Sequence, residues 1–182
     1  WIMYRMFTQM GIKPTTYNLR PTTYRVLAID PGFERVGIAV IERDPKTRKE
    51  KLIHSECFKT SNSLLFPERL ILIGGKIRSA IGKFSPDALA IEKLYFEKNT
   101  KTAMGVSEAR GVIVYEAARA GLAIHEYTPL QIKVAVTSYG KATKEQVNNM
   151  VGKLIVLPKK ISSDDEMDAI ACGLTCLAHL KF

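Results

Sequence analysis

Four acidic residues of this 182-residue chain stand where predicted core elements begin or end. Asp30 follows the apolar run Val26–Ile29, and Glu92 ends a second short apolar run. Asp165 and Asp168 lie three residues apart at the start of a predicted helix, so their side chains emerge on one face. Converging carboxylates repel one another unless cations separate them, and hard divalent ions such as Mg²⁺ or Mn²⁺ prefer oxygen ligands. A pair of such ions about 3.5–4 Å apart is the arrangement used for phosphodiester hydrolysis.

Each acid also has a structural explanation when it is taken alone. Acidic residues in the first turn of a helix interact favourably with the helix dipole, by about 0.3–1 kcal/mol, which accounts for Asp164, Asp165 and Glu166. Asp168 is explained less well, because it lies further into the helix and is followed by Ala-Ile-Ala-Cys. Asp30 would carry its charge at the end of a buried strand, which is costly without a partner. Convergence of the acids in one place would favour the metal-binding explanation.

The composition is typical of a globular domain with a polyanionic partner. Hydrophobic residues make up 46% of the chain and charged residues 25%, and this length fits one domain with a sizeable core. The net charge of +9 favours nucleic acid or an acidic membrane surface as the partner, with a basic surface that has no such role as the plain alternative. No apolar run reaches the roughly eighteen residues of a membrane span, and Cys57, Cys172 and Cys176 form no disulfide framework. We therefore expect a cytoplasmic protein without a membrane partner.

The elements that would position the acids alternate as one α/β unit. The pattern of apolar runs and turns predicts strands at about 25–30, 36–42, 51–59, 88–92 and 123–127. Helices are predicted at about 64–84, at 101–120, from Pro129, from Lys144 to about Leu157, and from Ser163 onward. Thr128 and Thr143, each with a glutamine three residues later, predict capping boxes. In the third strand, simple alternation would place Leu52 on the same face as His54 and Phe58.

The first 24 residues differ from the rest of the chain. They carry three basic residues, no acidic residue, and the tetrapeptide PTTY twice. They lack the apolar core and the small-residue cleavage site of a signal peptide. We interpret residues 1–24 as an N-terminal extension, and a native arm, a wrongly assigned start and added residues are all compatible with it. Residues 25–182 form one predicted α/β domain, since no linker divides them.

Six short motifs occur in order along residues 25–180. They are IDPG (Ile29–Gly32) with Arg35 and Gly37 following, AIEKLYFEKN (Ala90–Asn99), SEARGV (Ser107–Val112), QIK (Gln131–Lys133), ATKEQV (Ala142–Val147) and DEMDAIA (Asp165–Ala171). In this order and at these separations, the set resembles the RuvC-type Holliday junction resolvases of the ribonuclease H-like superfamily. The resemblance covers nearly all of the chain except the extension. It implies an α/β fold with a five-stranded mixed sheet flanked by helices.

The resemblance also implies roles for individual residues. The family's four metal-binding carboxylates match Asp30, Glu92, Asp165 and Asp168, and the D-x-x-D-A spacing selects Asp165 over Asp164. They would bind two Mg²⁺ ions per active site, for which Mn²⁺ can substitute. Lys144 would be catalytic, adding positive charge where the phosphorane develops. The implied DNA-binding residues, of which Tyr95 or Phe96 would stack at the junction centre, are Tyr95, Phe96, Lys98, Lys133, Lys141 and Lys144.

The function implied by the resemblance is that of a Mg²⁺-dependent endodeoxyribonuclease in recombination and repair. It would resolve four-way DNA junctions by paired symmetric nicks that leave 5′-phosphate and 3′-hydroxyl ends. A homodimer is implied, with the small-residue helix near 101–120 as its candidate interface, and the RuvA–RuvB branch-migration complex is a further candidate partner. Two alternatives stay open: a ribonuclease H-like nuclease acting on RNA or a hybrid, and a junction-binding module without catalysis.

Overall fold

The computed structural model describes residues 23–94, 100–158, 161 and 163–180, with the backbone alone for 100–102. Its strands are β1 (Tyr24–Asp30), β2 (Arg35–Arg43), β3 (Glu50–Lys59), β4 (Ala88–Glu92) and β5 (Ala123–Tyr127). Its helices are α1 (Phe66–Phe84), α2 (Thr100–Arg119), α3 (Pro129–Thr137), α4 (Lys144–Leu154) and α5 (Asp164–His179). Within these ranges, no helix has the length and hydrophobicity needed to cross a membrane. Almost all of the predicted extension lies outside the described residues.

The five strands form one sheet in the order β3-β2-β1-β4-β5. Neighbouring strands are antiparallel from β3 to β1 and parallel from β1 to β5. The parallel strands are connected through α1 and α2, since a parallel pair requires a long crossover. The predicted five-stranded mixed sheet flanked by helices is therefore confirmed.

Side-chain alternation along the strands divides the core between the two faces of the sheet. On one face, α3, α4 and α5 pack against Val26, Ala28, Ala39, Ile41 and Ala90. On the opposite face, α1 and α2 pack against Leu27, Ile29, Ile38, Leu89 and Ile91. Asp30 continues the alternation that contains Ala28, and Glu92 continues the one that contains Ala90. Both acids therefore project from the face that α5 covers.

Two glycines allow α5 to lie directly on the sheet. A Cβ atom on Gly37 would lie 1.8 Å from the main-chain oxygen of Asp165. A Cβ atom on Gly173 would lie 2.8 Å from Cδ1 of Ile41 and 2.9 Å from Cβ of Ala28. Because Gly37 pairs with Asp30 across the β1–β2 ladder, its contact fixes the start of α5 beside the end of β1.

Both predicted capping boxes are confirmed. At the start of α3, Thr128 Oγ1 accepts from the Gln131 N–H at 3.1 Å, and the Gln131 side chain accepts from the Thr128 N–H at 2.8 Å. Thr143 and Gln146 repeat this arrangement at the start of α4, with distances of 3.2 and 2.8 Å. Helix α4 ends at Leu154, whereas the sequence predicted an end at about Leu157.

A bulge in β3 contradicts the predicted alternation of that strand. Val40 pairs with His54 but Ile41 pairs with Leu52, so Ile53 is the extra residue. Leu52 and Ser55 are consequently both buried, at 5% and 6% exposure. The prediction that grouped Leu52 with His54 is wrong, because an extra residue exchanges the faces of the residues that precede it.

Candidate active site

The last residues of two adjacent parallel strands supply the first two acids of the site. Ile29 of β1 pairs with Ile91 of β4, so Asp30 and Glu92 follow in register on strands about 4.8 Å apart. Arg110 of α2 donates to the main-chain oxygen of Glu92 at 3.4 Å and supports the end of β4. The structure therefore brings these two predicted residues together.

The first turns of α5 supply the other two acids. The charges of Asp165 and Asp168 both act on the carboxyl group of Asp30, as does that of Glu92. The Asp165 side chain is 19% exposed, whereas that of Asp164 is 70% exposed. The geometry thus joins all four predicted acids in one cluster and favours Asp165 over Asp164 as its member.

Lys144 provides positive charge at the edge of this cluster. Its Nζ lies 3.0 Å from Oδ2 of Asp168 and 3.2 Å from Oδ2 of Asp164. Partial burial lowers the pKa of Lys144, but the hydrogen bonds and charges of Asp168 and Asp164 outweigh this effect and the pKa is raised. Lys144 is the first residue of α4. The capping box at Thr143 fixes the start of this helix and therefore the backbone position of Lys144.

Three neighbours of Asp165 were not identified as site residues by sequence reasoning. Its Oδ2 atom accepts from Ser163 Oγ at 3.0 Å, and Arg35 Nε lies 3.4 Å from the same oxygen. Cys57 Sγ approaches this oxygen at 3.7 Å. The sequence presents Arg35 as a motif residue and Ser163 as a helix start. It contains no local signal for Cys57, whose place depends on the β3 register.

Burial and mutual repulsion perturb the carboxyl groups strongly. Burial raises the pKa of Asp30 to about 8, and the charges of Glu92, Asp168 and Asp165 add to the effect. Burial and the charge of Asp168 raise the pKa of Glu92 to about 7. The pKa of Asp168 is also raised, because its burial outweighs the influence of Lys144. The protein surroundings therefore do not compensate the negative charge that these carboxyl groups would carry if all of them were ionised.

A cavity of about 250 Å³ opens beside the cluster. Its lining residues are Glu92, Pro129, Ile132, Lys133, Lys144, Val147, Asp168 and Ala171. Two predicted acids and two predicted DNA-binding lysines thus share one concave surface. The carboxylates and ammonium groups of this lining can contact a metal-bound phosphodiester, and its four apolar residues form the rest of the wall.

The other predicted DNA-binding residues lie away from this cavity or outside the described residues. Lys141 is exposed on the connection between α3 and α4. Tyr95, Phe96 and Lys98 fall in the interval 95–99, which the structure does not describe. Their DNA contacts stay predictions.

The chemistry of the cluster fits divalent metal ions. Among the described residues, no three acidic, histidine or cysteine side chains are already close enough to enclose one ion. The donor set is nonetheless all oxygen, as Mg²⁺ and Mn²⁺ require, and the raised pKa values of Asp30 and Glu92 reveal uncompensated negative charge. A divalent ion bound by these oxygens would relieve the repulsion between them.

The sequence matches a known protein family over most of its length. The family described as crossover junction endodeoxyribonuclease RuvC matches residues 26–176. A crossover junction endodeoxyribonuclease RuvC of Ruminiclostridium cellulolyticum is 40% identical over 149 residues, which cover 82% of this chain and 89% of the relative. The family match, over residues 26–176, spans all four acids of the cluster.

Solved structures show the same architecture. The structure of Thermus thermophilus RuvC is similar with a TM-score of 0.78 and 31% identity, covering 85% of this chain and 94% of that one. Thermus thermophilus RuvC in complex with a Holliday junction substrate gives a TM-score of 0.77 at 31% identity, covering 84% and 92%.

Proposed function

This chain belongs to the RuvC family of crossover junction endodeoxyribonucleases, and we propose that it resolves four-way DNA junctions through the acidic cluster at the end of β1 and β4. The enzyme is a metal-dependent Holliday junction resolvase of recombination and repair. The finer proposal is that paired symmetric nicks leave 5′-phosphate and 3′-hydroxyl ends. The observation that supports metal-dependent cutting at this site is the convergence of Asp30, Glu92, Asp165 and Asp168 beside a cavity that two lysines line.

The proposed metal ligands are Asp30, Glu92, Asp165 and Asp168. They would hold two Mg²⁺ ions, or Mn²⁺ in their place, which when bound supply the charge that activates water and stabilises the leaving 3′ oxygen. Ser163 and Cys57 orient Asp165, since both contact its Oδ2 atom. Asp30 and Glu92 are partly buried beside α5, and Glu92 also lines the open cavity, through which water and a metal ion can enter.

The lysines of the cavity would act on the phosphate. Lys144 bridges Asp168 and Asp164, and its side chain is 50% exposed, so its ammonium group can turn towards a bound phosphodiester. There it would stabilise the charge that develops on the phosphorane. Lys133 lines the same cavity and would hold the scissile strand. The wider DNA contact would involve Lys98 and Lys141, with Tyr95 or Phe96 stacking at the junction centre.

A homodimer would deliver the paired cuts, and α2 offers a surface for it. Ala109, Ile113 and Ala117 pack against the chain's own sheet, whereas Met104 and Tyr115 are 68% and 59% exposed on the outward side. Replacing Met104 and Tyr115 together by glutamate should convert a dimer to monomers in sedimentation analysis. Retention of the dimer would rule out this surface. A cytoplasmic location and contact with the RuvA–RuvB complex complete the proposal.

The test is cleavage of a synthetic mobile four-way junction in Mg²⁺. We expect the parent protein to make paired symmetric nicks and Asp30→Asn to bind the junction without cutting it. Asp44→Asn is the matched control, because Asp44 lies in the β2–β3 turn at the other end of the sheet and should leave cutting unchanged.

Parallel assays on linear duplex, structured RNA and a DNA–RNA hybrid separate the alternatives. Cutting of duplex DNA at the same rate as the junction would overturn the resolvase assignment. Preferential cutting of RNA or of the hybrid would instead indicate a different ribonuclease H-like nuclease. Junction binding without any metal-dependent cutting by the parent would indicate a non-catalytic module.

A further inference from the structure

A second cavity, of about 340 Å³, lies between α4 and the connection that precedes it. Its volume is within the range of small-molecule sites, about 300–1,000 Å³. Ala142 lines this cavity two residues before Lys144, and two residues of chain span at most about 7 Å. The cavity begins beside Ala142 and then follows the face of α4 opposite Lys144, since Gln146, Asn149 and Lys153 lie about half a helical turn from Lys144. Because Lys144 contacts Asp168, helix α4 stands between most of the cavity and the acidic cluster.

A rigid connection presents an aromatic ring at this cavity. Thr137 Oγ1 accepts from the Tyr139 N–H at 3.1 Å, and the main-chain oxygen of Tyr139 accepts from the Ala142 N–H at 3.1 Å. A Cβ atom on Gly140 would lie only 2.7 Å from Leu130 Cδ1, so the connection packs tightly on α3. The Tyr139 side chain nevertheless remains 55% exposed. An exposed ring on a hydrogen-bonded connection is a suitable surface for stacking a base, because its backbone needs no rearrangement on binding.

The rest of the lining supplies polar groups at helical spacing along α4. The Gln146 side-chain oxygen is occupied by the Thr143 N–H, which leaves its NH₂ group as a donor towards the cavity. Asn149, one turn further, is exposed and offers both a donor and an acceptor. Lys153 adds a positive charge at the far end of the lining. Amide side chains pair with base edges, and lysines bind phosphates.

We propose that this cavity binds one unstacked nucleotide of a junction strand on the side of α4 turned away from the acidic cluster, with Tyr139 stacking on the base and Asn149 reading its edge. Gln146 would donate to the base, and Lys153 would neutralise the adjoining phosphate. An unpaired base is required, because the faces of bases within a duplex are covered by their neighbours, and a branch point is where strands open. The inference rests on the proposed function and deepens it by assigning a source of sequence preference.

The test combines base substitution in the junction with variants of the cavity. Each nucleotide within one helical turn of the branch point is replaced in turn by an abasic residue, and binding is measured in metal-free buffer. We expect one position at which the abasic junction binds the parent more weakly by about 5- to 150-fold, the range for one stacked base. Tyr139→Ala should bind all junctions with the weaker affinity, whereas Tyr139→Phe should retain the parent's profile.

Cutting of a junction library with every base at that position gives an independent readout. Asn149→Ala should flatten the base preference of cleavage, while Leu154→Ala, an exposed position outside the lining, should leave it unchanged. A parent profile without any sensitive position, or equal losses for Tyr139→Ala and Tyr139→Phe, would overturn the site. If the parent cuts junctions but Tyr139→Ala matches it in every assay, the cavity serves another ligand and only this inference fails. A parent that neither binds nor cuts junctions would refute the proposed function as well.

Discussion

Replacing Asp30 by asparagine should stabilise the metal-free protein while abolishing its activity. The carboxyl group lies at the end of β1 under α5, where burial and the charges of Glu92, Asp168 and Asp165 raise its pKa to about 8. Asparagine has nearly the same shape and carries no charge. The variant therefore loses a metal ligand and also loses a source of repulsion in the folded state.

The sign and size of this effect follow from the pKa shift. Because the folded-state pKa exceeds the ordinary value of 3.8, the folded protein binds more protons than the unfolded chain between about pH 4 and pH 8. The free energy of unfolding of the parent therefore falls as the pH rises through this window. At about 1.4 kcal/mol per pH unit, the advantage of Asp30→Asn should grow from near zero at pH 4 to about 4 kcal/mol at pH 7.

Urea unfolding followed by circular dichroism, in chelator and at a series of pH values, measures this difference. Asp44→Asn is the control, because the backbone N–H groups of Thr47 and Lys46 lower the pKa of Asp44. A lowered pKa contributes stability that is present at neutral pH and lost in acid, so this control should gain nothing as the pH rises. Addition of Mg²⁺ should raise the stability of the parent more than that of Asp30→Asn.

Two results would contradict the reasoning. Asp30→Asn could be less stable than the parent at pH 7, which would mean that the carboxylate makes favourable interactions in the folded state. Alternatively, the difference between the two proteins could be independent of pH, which would mean that Asp30 ionises normally. The double variant with Glu92→Gln should gain less than the sum of the single gains, because each carboxylate contributes to the repulsion felt by the cluster.

Three further predictions test the elements that hold the site. Gly37→Ala should lower the free energy of unfolding in urea by about 3 kcal/mol or more, because its Cβ would overlap the main chain of Asp165. Gly75→Ala, with no atom near its added Cβ, should instead raise this free energy by about 0.5–1 kcal/mol, because alanine favours the helical conformation of α1. Lys144→Gln should lower kcat for junction cutting by about 10²–10³-fold with little change in affinity, and an equal loss of affinity would refute its catalytic role. Thr143→Ala and Thr128→Ala should each cost about 1 kcal/mol of stability, but only Thr143→Ala should also slow cutting, since it loosens the turn that carries Lys144.

Much of this architecture could be predicted from sequence because its signals are local. The apolar runs, the turn after Asp30 and the two capping boxes each specify an element within a few residues. Alternation along β1 and β4 then places Asp30 and Glu92 on one face without further information. The family motifs add which acids of the last helix are predicted to belong with them, and in the structure the Asp165 side chain is 19% exposed whereas that of Asp164 is 70% exposed.

The features that escaped prediction depend on contacts between distant segments. The bulge at Ile53 is set by how β3 pairs with β2, and no residue type in the strand signals it. Cys57 reaches Asp165 only because the strand resumes its register after the bulge. The stacking surface at Tyr139 likewise depends on Gly140 packing against α3, which the sequence alone presents as an ordinary loop.

The charge balance of the site explains why the same fold can accommodate ions. The cations that contact the acids in the metal-free protein, Arg35 and Lys144, come from different elements, and their side chains are 60% and 50% exposed. Exposed ion pairs contribute only about 0–1 kcal/mol, so their displacement costs little. Asp30 and Glu92, by contrast, lie deeper, and no residue has an ion pair with either among those the structure describes. A divalent ion entering there would favour the ionised forms of two carboxyl groups that have no cation in contact with them, while displacing only exposed ion pairs.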